Sequence, residues 1–267
     1  MIQGFSLHTS VRLTSNLLLS KDKCMGTMAQ LFVPQAKRRG MGKIMIKSVF
    51  FDLNETLTNT ELLGANFKKY FNDESVSKYW FTKLLHTSVI MGAMETYKNF
   101  GELGKHVLDS VALEYNANLS DEEKVNILSS FKALPPHKDV IEAMKLLRVN
   151  GIRVIVVSNS SLEMIGLQLT NAGIIDYVDG YYSVDSVCRY KPFKEVYSYV
   201  ANQESLNPEE VMMIACHDWD LFGAKKAGLK TGYIIRKKTI YNPFYEQPDL
   251  QSDSLIEIVT SLINSNK

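Results

Sequence analysis

At 267 residues, 45% of them hydrophobic and 22% charged, the chain is long enough for one α/β core plus a smaller domain. Its formal net charge is only +1, but residues 1–47 carry eight Lys or Arg and one acid, whereas the rest carries 22 and 28. The larger part is therefore mildly acidic and has no basic stripe for nucleic acid, and no run of about 18 apolar residues exists to cross a membrane as a helix.

In chain order, residues 1–43 read as a basic, disordered extension. Their composition is similar to that of a mitochondrial presequence, but the positive charges fall on no clear amphipathic face. A cytoplasmic location is therefore expected, with a mitochondrial one as the alternative. Cys24, Cys188 and Cys216 are odd in number and form no C-x-x-C pair, which argues for a reducing compartment and against structural zinc.

Ile44–Leu53 reads as a strand apolar on both faces, as in a buried parallel sheet. Helical patches follow at Glu61–Phe71, Ser75–Met91, Phe100–Tyr115 and Asp121–Phe131, the last opened by Ser120 and Glu123 in capping-box spacing. Leu84, Leu85, Val89 and Ile90 recur at helical spacing, which suggests bundle core. After Pro135-Pro136, helices at Val140–Val149, Leu162–Ala172, Phe193–Asn202 and Leu221–Ala227 alternate with strands at Ile152–Val157, Gly180–Val184, Val211–Ala215 and Thr231–Ile235. Such alternation predicts an α/β fold with a doubly wound parallel sheet. The core is then 44–58 with 138–267, and 59–137 is an all-helical cap inserted over the strand ends, where it can exclude water.

Ligands in open α/β sheets bind at the carboxyl ends of the strands. Asp52 ends the first strand, in SVFFDLNETLTNT. A carboxylate there is poised as a nucleophile, since the amides that follow can hold an anionic substrate against it; its plainer role is to cap a turn. Three further strand ends carry polar groups: Ser158 and Asn159 in VIVVSNSS, Lys191 in SVDSVCRYKP, and His217, Asp218, Trp219 and Asp220 in HDWDLFGAKKAG. An acid, a hydroxyl, an amine and a second acid in sequence look like an assembled site.

With these strings the chain resembles the haloacid dehalogenase superfamily, and within it the type II 2-haloacid dehalogenase-like branch, from about residue 46 to the end. The resemblance implies that Asp52 attacks the substrate and becomes an ester. It implies that Lys191 holds Asp52 ionised, and that Asp220 activates the water that frees the ester. Ser158 and Asn159, with the loop amides at Leu53 and Asn54, would bind a substrate carboxylate. Ser160 can cap the helix that follows, leaving that pair free. Thr56 would bond locally around the nucleophile loop, Trp219 would form an apolar wall, and Tyr197 matches the family's tyrosine. Asp218 reads as an outward-facing cap residue.

Phosphatases of the superfamily carry a second Asp two places after the nucleophile, which protonates the leaving alcohol. Asn54 stands there and cannot act as an acid. Ala215 and Cys216 occupy positions where a magnesium ligand would be expected. No metal and no cofactor is therefore expected, Mg²⁺ belonging only to the phosphatase alternative. In characterised dehalogenases a cap arginine and a late asparagine cradle the departing halide. The arginine falls at or near Phe81, residues 59–137 contain no arginine, and the asparagine's place holds His217; Lys83 or His86 could substitute. The reading is a metal-independent hydrolase acting on a small 2-haloacid. A magnesium-dependent phosphatase or a weakly catalytic binding protein is the alternative. A small carboxylate is the expected partner, with no nucleic acid or membrane, and a homodimer is possible.

Overall fold

The computed structural model describes residues 44–267. The expected extension at 1–43, and Cys24 within it, lie outside them. Six parallel strands form one sheet: β1 Ser48–Phe51, β2 Arg153–Ser158, β3 Gly180–Ser183, β4 Val211–Ala215, β5 Lys230–Ile234 and β6 Leu250–Ser252, in the order β3-β2-β1-β4-β5-β6. All four residues of β1 are buried. Val49 and Phe51 join one apolar cluster and Phe50 the other, so each face is covered.

The chain leaves β1 for β2 on one side and later returns to β4 on the other. The order thus reverses at β1, which opens a crevice at its carboxyl end. Phe51 is level with Val156 of β2 and Ile214 of β4. The next amide, that of Asp52, donates to the Ile214 carbonyl at 3.1 Å. The register therefore delivers the carboxylate to the reversal point.

Between β1 and β2 run α1 Leu62–Phe71, α2 Ser75–Ala93, α3 Phe100–Glu114, α4 Asp121–Ser129, a short 3₁₀ turn to Ala133, and α5 Val140–Val149. The first four form a helical insertion between β1 and β2. Its entry and exit are tied together: Asn59 N donates to Pro135 O at 2.8 Å and His137 N to Leu57 O at 2.9 Å. Ser120 and Glu123 make the expected capping box. The expected apolar stripe on α2 is corrected. The helix buries Val76, Trp80, Leu84, Ser88 and Gly92, spaced by four, while Val89 and Ile90 are exposed. Gly92 lies close against Phe193: a Cβ would stand 2.3 Å from that ring, which would then have to move.

The remaining helices are α6 Leu162–Asn171, α7 Lys194–Gln203, α8 Asp218–Lys226 and α9 Leu255–Asn266. Three differences from the sequence reading matter. Helix α8 starts three residues early, which puts Asp218 and Asp220 in its first turn, where the helix dipole favours acids. The short strand β6 has no period of its own. It forms because Asp249 Oδ2 accepts from Thr231 N at 2.8 Å, holding the segment beside β5. Helix α9, unanticipated, is capped by Ser254 and buries Leu255, Ile258, Val259 and Leu262 under the sheet. Among the described residues, no helix is long and apolar enough to cross a membrane.

Candidate active site

Asp52, Ser158, Asn159, Lys191, His217 and Asp220 converge on the carboxyl edge of the sheet around β1. Asp52 Oδ1 accepts from Lys191 Nζ at 3.0 Å, and Oδ2 accepts from the Thr56 hydroxyl at 2.8 Å. His217 Nδ1 lies 3.2 Å from the same Oδ2. Burial works against a charge on Asp52. The Lys191 ammonium, His217 and Thr56 outweigh it, so the carboxyl sits well below the usual carboxylate range. Thr56 itself is fixed from two sides, its hydroxyl accepting from Cys216 N at 3.0 Å and its carbonyl from Arg236 Nε at 3.1 Å.

Lys191 is buried, and its Nζ also donates to Asp220 Oδ2 at 2.9 Å. Burial disfavours the ammonium, yet Asp220 and Asp52 raise it above an ordinary lysine. Its own amide donates to Asn159 Oδ1 at 2.9 Å, so the end of β2 sets the position of the lysine. Helix α8 presses from the other side: a Cβ on Gly223 would stand 2.2 Å from the Pro192 carbonyl oxygen. Only glycine permits that approach.

Asp220 and Tyr197 stand behind Lys191 in this structure. Asp220 is fully buried and lines no cavity. Its Oδ2 faces Lys191 and its Oδ1 takes the Tyr197 hydroxyl, so both carboxylate oxygens already have donors. Burial nevertheless raises its pKa, Lys191 opposing. Tyr197 lies behind the site, not in it. Burial and Asp220 hold its phenol far above the ordinary range, so it remains an O–H donor.

His217 stands between two carboxylates. Its Nε2 lies 2.8 Å from Glu55 Oε2, and Lys237 pairs with the other oxygen of Glu55. Burial disfavours the imidazolium, but Cys216, Asp52 and Glu55 push it well above an ordinary histidine. Burial likewise opposes the Glu55 charge, yet His217 and Lys237 bring that carboxyl down to about 2. Both ring nitrogens are therefore engaged, which removes the expectation that His217 offers a free donor to a halide. Glu55 is the residue that local patterns missed. It reaches His217 across 162 positions, from a backbone turned to φ 65°.

A cavity of about 20 Å³, room for roughly one water molecule, lies over Asp52. Asn54, Phe81, Leu85, Phe100, Ser158, Asn159, Lys191, His217 and Trp219 complete its wall. Ser158 Oγ accepts from Ser160 N at 3.2 Å, leaving its hydroxyl proton for a ligand. Ser161, rather than Ser160, caps α6, accepting from Met164 N at 3.3 Å. Leu53 turns its side chain into the apolar cluster and lines no cavity. Phe81 faces the cavity and also rests on Trp80 and Phe131. Lys83 instead bonds Ser110 and Glu114, and neither it nor His86 lines the cavity. Asp218 is half-buried, accepting from Asn242 N at 3.1 Å.

A magnesium ion does not fit beside Asp52. Both carboxylate oxygens already face ammonium, hydroxyl or imidazole donors, and Asn54 Oδ1 accepts from Gln168 Nε2 at 2.8 Å. A cation placed there would meet two positive neighbours and no hard oxygen to spare. Among the described residues, no group of three or more His, Cys, Asp or Glu is arranged to hold a metal ion.

The comparisons agree with this geometry. The model of the haloacid dehalogenase-like hydrolase family matches residues 46–228. The (S)-2-haloacid dehalogenase of Pseudomonas sp. (strain YL) is 25% identical over 216 residues, spanning 80% of this chain and 93% of its own. The (S)-2-haloacid dehalogenase 4A of Burkholderia cepacia is 29% identical over 204 residues, 76% of this chain and 85% of its own. The L-2-haloacid dehalogenase of Xanthobacter autotrophicus, solved with chloropropionic acid covalently bound, superposes with a TM-score of 0.77 at 20% identity. That alignment covers 81% of this chain and 98% of that one. The chain belongs to the haloacid dehalogenase-like hydrolases, in their 2-haloacid dehalogenase-like branch.

Proposed function

We propose that the protein hydrolyses the carbon–halogen bond of a 2-haloacid without a metal, and that residues 59–137 form the cap closing over the reaction. The observation that carries this reading is Asp52, held ionised by Lys191, Thr56 and His217 at the floor of a small cavity, with Asn54 where a phosphatase needs an acid. An Asp52 oxygen displaces the halide from the far side of C2, forming an ester and inverting that carbon. The substrate carboxylate is received by the Ser158 hydroxyl and the Asn159 amide, whose carbonyl is already engaged.

Water must then attack the ester carbonyl from the cavity. Asp220, sealed behind Lys191, is read as a positioning residue that keeps the ammonium aimed at Asp52. His217 lines the cavity and is the base of this reading. Once Asp52 is esterified, its charge no longer supports the imidazolium. Nδ1 can then release its proton to solvent as the halide leaves and accept one from the attacking water, while Glu55 orients the ring through Nε2. The water oxygen bonds to the Asp52 carbonyl carbon, the bond to the substrate oxygen breaks, and the 2-hydroxy acid leaves with a proton returned to its oxygen.

The test is halide release from 2-chloropropionate or monofluoroacetate without added metal, abolished in Asp52→Asn. No release from any 2-haloacid overturns the reading. Mass spectrometry then separates the two acid–base roles. His217→Asn should accumulate the ester on Asp52, whereas Asp220→Asn should slow its formation; the opposite pattern makes Asp220 the base.

A further inference from the structure

A second cavity, of about 170 Å³, lies beside the one over Asp52. The cap supplies Trp80, Phe81, Leu84, Phe100, Gly104 and Phe131, and the core supplies Met164 and Gln168 at its edge. Asn54, Phe81 and Phe100 line both cavities, so the two are neighbours across a shared wall of three side chains. The larger chamber is faced almost entirely by carbon. The mechanism does not use it: no group that touches Asp52, Lys191 or His217 needs it empty.

Resting on the 2-haloacid reading, we propose that this chamber receives the apolar tail of the substrate. The preferred acids would then carry about five or six carbons beyond C2, or a phenyl ring, instead of one methyl group. Three observations converge on that size and chemistry. The cavity over Asp52 has room for roughly one water molecule, so it houses no substrate tail. An apolar protein cavity of about 150 Å³ holds benzene, and this one is slightly larger. Its wall is aromatic and aliphatic, so each methylene placed there gains transfer free energy without having to strip a charge of its water. Gln168 marks the inner limit of the fit, for its Nε2 is spent on Asn54 and the Phe131 carbonyl.

The experiment reads binding and turnover separately. Calorimetry on the full chain with the 2-hydroxy acid products, from lactate to 2-hydroxyoctanoate, should show affinity rising about fourfold per methylene until the chamber is full. Gly104→Leu should flatten that series. A Cβ at Gly104 stands 3.4 Å from Trp80 Cζ2 and 3.5 Å from Leu84 Cδ2, in ordinary contact, so the larger side chain narrows the space. Met164→Trp narrows it from the core side and guards against a folding defect in the first variant. Equal affinity along the series overturns the proposal, as does a slope that survives in both variants. Halide release from the matching 2-chloro acids is the separate readout. Release with no chain-length preference removes the chamber and leaves the dehalogenase, whereas a binding slope with no release from any acid does the reverse.

Discussion

The floor and the roof of the site are built on opposite principles. The floor, built from the segments that follow β1, β3, β4 and β5, is a row of alternating charges. Lys237, Glu55, His217, Asp52, Lys191 and Asp220 each face a neighbour of opposite sign. Among the described residues, the helical cap adds no charged side chain to either cavity, only Phe81, Leu85, Phe100 and the apolar groups around them. The buried centre of this row, Asp52, Lys191 and Asp220, tolerates little change, because removing one member strands the next in a medium of low dielectric. An apolar roof loses only contact area when it varies. On the proposed reading, chemistry resides in the floor and choice of substrate in the roof.

The strongest way to break that contrast is at its centre. Lys191→Met leaves Asp52 and Asp220 facing each other without a cation. It should lower stability by about 3–5 kcal/mol and turnover by at least about a thousandfold, read by denaturant unfolding and halide release. A modest loss, comparable to that of a roof substitution, would show that the floor is not a coupled unit.

The roof offers a test of opposite sign. Phe81 faces the cavity where a departing halide would gather charge. The lack of a cationic donor on the roof side of that cavity costs on the order of 3 kcal/mol, about a hundredfold in rate. Phe81→Arg should therefore raise turnover of 2-chloropropionate by up to about that factor. If the natural protein already turns over many molecules per second, another group holds the halide and the comparison needs a charged element in the roof.

The same contrast explains what could be read in the sequence. Asp52, Ser158, Lys191 and the residues after β4 were legible because each follows an apolar run at a strand end, a local pattern. The fold was legible for the same reason, apart from β6 and α9, whose formation depends on Asp249 meeting Thr231 and on a sheet face to cover. Roles were less legible than positions. Asp220 and Tyr197 look like site residues along the chain, yet they pair behind Lys191. Glu55 sits in a quoted motif, but its partner is 162 residues away. Pairings of that length leave no local period.

Glu55 also supplies the smallest effect and the one tied to pH. It faces His217 and Lys237, with the Thr60 hydroxyl 3.3 Å from Oε1. Its carboxyl is lowered from 4.5 in the free residue to about 2 in the fold. The folded pKa is depressed, so the stabilisation is fully present above about pH 4.5 and is lost as pH falls through about 2. Lys237 is about half exposed, so screening reduces the gain to on the order of 2 kcal/mol. Glu55→Gln should therefore be less stable than the natural protein near neutrality, and the gap should close between pH 4.5 and 2. Denaturant unfolding of both proteins across that range measures it. A gap that stays constant with pH would mean that Glu55 acts through shape and not charge. The floor would then end at His217, and its ring would be oriented by Asp52 and Cys216.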